Sequence, residues 1–259
     1  MFKIRNIFIG ILMILCLSGG GCSQCDACDA DEHKKEAVSS KENAKKAKDN
    51  YTHAINKYKE ATTDADRDNA LTDIKKSKKD LEANVKKADD EATKAESSAR
   101  DAAAHKAEDN QKDAEYVTSA NSRATNARAA ADEAKGYMAG VNKDYAEIQK
   151  DEAKRHTEAY RDAMKDYNDS NKTADERAAA LEKMKAEKKL VEEAVAAADL
   201  AVEEGKKYDT ADDQKATKEA ADKAHYYLDH INDTWDAGKD EPYDPSQSAI
   251  IDFNTWTIT

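Results

Sequence analysis

Two long runs of small and apolar residues repeat in sevens, and they fix what this chain can fold into. Leu71, Ile74, Lys78, Leu81, Val85, Ala88, Ala92, Ala95, Ala99 and Ala102 follow one another in alternating steps of three and four. Val117, Ala120, Ala124, Ala127, Ala131, Ala134, Met138, Val141, Tyr145 and Ile148 do the same. Such spacing puts each set on one stripe of a helix and makes it a coiled-coil seam. Extending the first run would need seam residues at Lys106, Asp109 and Asp113, so its phase fails there. The chain is therefore expected to reverse at Asp109 and Asn110. Antiparallel pairing then sets Leu71 on Ile148, Ile74 on Tyr145, Lys78 on Val141 and Leu81 on Met138. Beyond Val85 on Ala134, alanines face alanines until Ala102 meets Val117. An arm from Leu71 to Ala102 would run about 48 Å at 1.5 Å per residue. The rival is one unbroken helix from about 65 to 167 with a stutter near the middle.

A second pair of stripes passes the same test. Val191, Val195, Ala198 and Val202 would meet Ile231, Tyr227, Ala224 and Ala220. Leu190, Ala194, Ala197 and Ala201 form a neighbouring stripe, which implies a third helix against this one. Helix starts are marked by Thr63, Thr173 and Thr210, each followed three residues later by an acid. Five helices are expected, near 33–62, 64–108, 111–168, 174–207 and 211–237. The fold class is all-α: an elongated antiparallel helical bundle or coiled coil with a projecting helical hairpin.

Composition agrees. The chain holds 48 alanines, and only 39 other apolar residues serve positions 23–259. That is too little for the wide core of an enzyme of this length. Eight glycines and two prolines exclude a turn-rich β-protein and a glycine-rich phosphate loop.

The N-terminus reads as an address. Lys3 and Arg5 precede an apolar stretch from Ile7 to Leu17, too short to span a bilayer comfortably. Ser18, Gly19, Gly20 and Gly21 follow, then Cys22. This resembles the signal sequence of bacterial lipoproteins, although two extra glycines separate Leu17-Ser18-Gly19 from the cysteine. The resemblance implies cleavage before Cys22, acylation of its thiol, and a lipid membrane as first partner. The implied location is the bacterial cell envelope. Ser23 stands where an aspartate would favour inner-membrane retention in enteric bacteria, which points to the outer membrane or cell surface if the organism is Gram-negative. The expected organisation is a signal over 1–21, a flexible cysteine-containing linker over 22–32, the bundle over 33–238 and a non-helical tail over 239–259.

Cys22, Cys25 and Cys28 are spaced like thiolate ligands, but acylation would remove the first. No metal, cofactor or catalytic site is expected. His225 and His230 fall on different faces of a helix, and His156 lies near a seam as a packing residue. Tyr51, Tyr58, Tyr145, Tyr160, Tyr167 and Tyr227 fill seams with their rings and keep their hydroxyls in water. In the tail, Ile251, Phe253 and Trp256 sit in a β-favouring stretch, either docked on the bundle end or free to bind a partner.

Without the signal the chain carries 40 Lys+Arg against 54 Asp+Glu, a net −14 that repels nucleic acid phosphates and anionic lipid head groups. The expected role is a non-enzymatic lipid-anchored spacer or surface module with a protein partner. Exposed alanine stripes would also allow self-association. A hydrophilin resembling late-embryogenesis-abundant proteins, or a helical adaptor of an envelope complex, is the alternative.

Overall fold

Alanine-rich stretches without proline have every reason to become helices, and they do. The computed structural model describes residues 22–106, 111–236 and 240–242. Six helices are present among them: α1 (Ser23–Glu60), α2 (Asp64–Ala104), α3 (Gln111–Gly136), α4 (Val141–Asn168), α5 (Ala174–Tyr208) and α6 (Ala211–Asn232). A two-residue antiparallel pair follows, β1 (Trp235–Asp236) with β2 (Glu241–Pro242). The helices fall into two compact units divided between Met138 and Ala139.

In the first unit, α1, α2 and α3 run up, down and up. Asp26 pairs with His105, His33 with Glu91 and Lys57 with Asp73, so α1 and α2 are antiparallel. Ser23 bonds Asp113 and Lys41 bonds Glu133, so α3 runs parallel to α1. Arg128 on α3 reaches both Asp89 and Glu96 on α2. The chain therefore reverses between α2 and α3, and the single long helix is excluded. Ala88, Ala92, Ala95, Ala127, Ala131 and Ala134 are fully buried along the α2 and α3 seams.

Four expectations need correction. The hairpin of α2 and α3 does not project, because α1 packs along both of its helices. Residues 22–32 are not a flexible linker: α1 begins at Ser23, and Ser23, Ala27 and Ala30 are buried. These small residues extend the seam that Ala37, Ala44, Ala47 and Tyr51 continue. The expected helix 111–168 is two helices, so the described residues hold six rather than about five. Its break lies at Tyr137–Gly140, where Gly140 takes φ 71, a left-handed conformation that costs other residues about 1–2 kcal/mol. The heptad phase passes through this turn intact. Val141, Tyr145 and Ile148 consequently belong to the second unit instead of continuing the hairpin seam.

The second unit repeats the up-down-up order with α4, α5 and α6. His156 reaches Glu187, His225 reaches Asp199, and Lys143 reaches Asp213. Its core gathers Tyr160, Met164, Met184, Val191, Val195, Tyr227, Ile231 and Trp235. Val191, Val195 and Ala198 share that core with Ala224, Tyr227 and Ile231, as the second heptad pairing requires. Ala194 and Ala201 of the neighbouring stripe are buried too, but Leu190 is left 39% exposed. Thr63, Thr173 and Thr210 cap their helices, and Thr173 with Glu176 forms the complete capping box.

Candidate functional site

Cys22 occupies the N-cap of α1. Its sulfur accepts the backbone N–H of Cys25 at 3.2 Å, satisfying one donor that the first turn leaves open. The Cys22 and Cys25 sulfurs lie 2.8 Å apart, and the Cys28 side chain is exposed. Among the described residues, no group of three or more His, Cys, Asp or Glu side chains is placed to hold a metal ion.

Around Cys22 three helix ends are tied together. The Ser23 hydroxyl donates to Asp113 Oδ1 at 2.8 Å, at the start of α3. His105 Nδ1 stands 2.8 Å from Asp26 Oδ2, at the end of α2. One turn further along, Arg123 Nη1 donates to the Ala27 carbonyl at 2.5 Å while its Nε faces Asp31 at 3.4 Å. Lys35 bonds the Asp31 carboxylate and, with Arg123, holds it below the usual range.

The second unit contains a polar cluster that spacing alone did not reveal. Glu152 is 2% exposed, and its Oε2 accepts from Arg155 at 2.7 Å. His156 stands between Glu152, at 3.5 Å, and Glu187 of α5, at 2.6 Å. Burial acts to lower the His156 pKa, but the bonds to Glu152 and Glu187 outweigh it and the net direction is upward. His156 is thus more than a packing residue: it joins α4 to α5 when charged. A raised folded pKa means stabilisation that is complete below the unfolded value near 6.5 and lost as pH rises through the folded value. The thermal midpoint should therefore fall between pH 6 and pH 9 by more in the wild type than in His156→Gln. Parallel slopes for the two proteins would refute this.

The same unit buries a carboxyl at its other end. Asp209 Oδ1 accepts the Gly140 N–H at 3.0 Å, and burial raises the Asp209 pKa. Gly205 permits this approach, since a Cβ there would lie 2.9 Å from Asp209 Oδ2.

The tyrosine rings fill seams, but Tyr51 and Tyr160 are wholly buried and do not keep their hydroxyls in water. Tyr51, Tyr58, Tyr145 and Tyr227 are buried, and Tyr167 is partly so. The Tyr160 hydroxyl does not reach water: it lies 2.9 Å from Thr234 Oγ1, and burial pushes its pKa up to about 12. His225 and His230 have separate partners, Asp199 and the Tyr226 carbonyl. Ile251, Phe253 and Trp256, like the signal over 1–21, lie outside the described residues. Among the described residues, no helix is long and apolar enough to cross a membrane.

No family model, no curated protein and no solved structure matches this chain.

Proposed function

We propose that this protein is a non-enzymatic, lipid-anchored helical protein of a bacterial envelope, acting as a spacer and protein-interaction module. The supporting observation is the position of Cys22. The residue that follows the signal-like segment is also the N-cap of a 38-residue helix. An acylated sulfur at that point would hold a rod of about 57 Å by its end. One acyl chain binds a membrane only marginally, so the diacyl or triacyl form is the one that would hold it stably. The narrow alanine core gives length with few residues, and the acidic coat discourages nucleic acid as a partner.

The test is direct. Cells expressing the full chain are fed an alkyne analogue of palmitate, and the protein is followed through membrane flotation. The wild type should carry label and float with membranes, and Cys22→Ser should do neither. Unlabelled wild type, or Cys22→Ser that stays labelled and floats, would refute the assignment.

A further inference from the structure

We infer that the end of the first unit formed by Cys22, His105 and Gln111 is a membrane-contact surface, whose partner is the head-group layer of a lipid bilayer. The inference depends on acylation of Cys22 and names the surface that such an anchor brings to the lipid. Two observations carry it.

The first is that there is no slack. Helix α1 starts at Ser23, directly after the anchoring residue. The thioether sulfur of an acylated cysteine keeps its lone pairs, so it can still accept the Cys25 N–H and cap the helix. The lipid would then be joined to the bundle without a tether, and the first turn of α1 would stand at the bilayer surface.

The second is the set of bonds between helix ends. Asp26 with His105 fixes the end of α2 beside the first turn of α1. Ser23 with Asp113, and Arg123 with the Ala27 carbonyl, fix the start of α3 there. A head-group region is about 5–7 Å deep on each side of the hydrocarbon, which corresponds to roughly four residues of helix rise. The last residues of α2 and the first of α3 fall within that depth. The last turn of α2 and the first turn of α3 therefore face lipid, and a protein partner is met on the flanks or at the far end, near Ala61 to Thr63.

A depth measurement tests this. The full chain, with Cys25→Ser and Cys28→Ser, is lipidated in a bacterial host and reconstituted into phosphatidylcholine–phosphatidylglycerol vesicles containing a head-group nitroxide lipid. A fluorophore is attached at Lys112→Cys, at Gln111→Cys or at Thr62→Cys, all exposed positions. Quenching should be several-fold stronger at 111 and 112 than at 62. Equal quenching at all three, stronger quenching at 62, or none in protein that floats with vesicles would overturn the contact surface while leaving the anchor intact. Protein that carries no lipid and does not float would overturn the anchor and the surface together.

Discussion

Tyr160→Ala is expected to lower the stability of the second unit by about 3–5 kcal/mol. Tyr160 is fully buried, with its ring centroid 6.2 Å from that of Trp235. Truncation empties a ring-sized volume in a core that also holds Met164, Met184, Val191 and Trp235. Packed neighbours relax only in part around such a deletion, so a cavity should persist. The hydroxyl of Thr234, itself buried, would lose one partner but keep the Ile231 carbonyl at 2.8 Å. Tyr160→Phe separates the two contributions and should cost only about 1 kcal/mol. Urea unfolding of both variants, followed by tryptophan fluorescence and by amide exchange, gives the comparison. A loss below about 1 kcal/mol for the alanine variant would mean that the site collapses, and that Tyr160 is not the keystone its burial indicates.

Ala127→Leu should destabilise the first unit by about 1–3 kcal/mol or more, through overpacking. Ala127 is fully buried on α3, and its seam neighbours Ala124, Ala131 and Ala134 are small and buried as well. Close helix approach is what an alanine seam offers, at the short end of the usual ~8–10 Å separation. Three extra carbons have no void to enter, so α3 must lift away, straining the bonds from Arg128 to Asp89 and Glu96. Ala129→Leu, on the exposed side of the same helix, is the control and should change stability by no more than about 0.5 kcal/mol. Circular dichroism melts of the three proteins decide the matter. Equal midpoints for Ala127→Leu and wild type would show that the seam is loose.

The heptads made the all-α class, the α2–α3 reversal and the α5–α6 pairing readable from residues alone. The apolar period shows which stripe of a seam helix is buried, and threonine caps mark the starts of α2, α5 and α6. What escaped has a physical reason in each case. Ala27 and Ala30 are buried seam residues, but cysteines and acids around them made the segment read as a linker. The turn at Tyr137–Gly140 left the phase of the repeat undisturbed, so only the left-handed Gly140 marks it. Glu152, Arg155 and Glu187 resemble any charges on a solvated helix face, because spacing does not distinguish an inward carboxylate from an outward one. The bonded surroundings of Cys22 could not be read from the residues before it, because they require three helix ends that lie far apart in sequence.

The up-down-up order in each unit has a mechanical consequence. With two helices a chain returns to the side it entered; with three it departs from the opposite side. In the first unit, tension between Cys22 and the end of α3 would be borne along the helix axes. It would slide α1 and α3 against α2 and strain many contacts at once, instead of prising them apart singly from a loose tip. A three-helix bundle of this order resists such pulling by shear rather than by peeling.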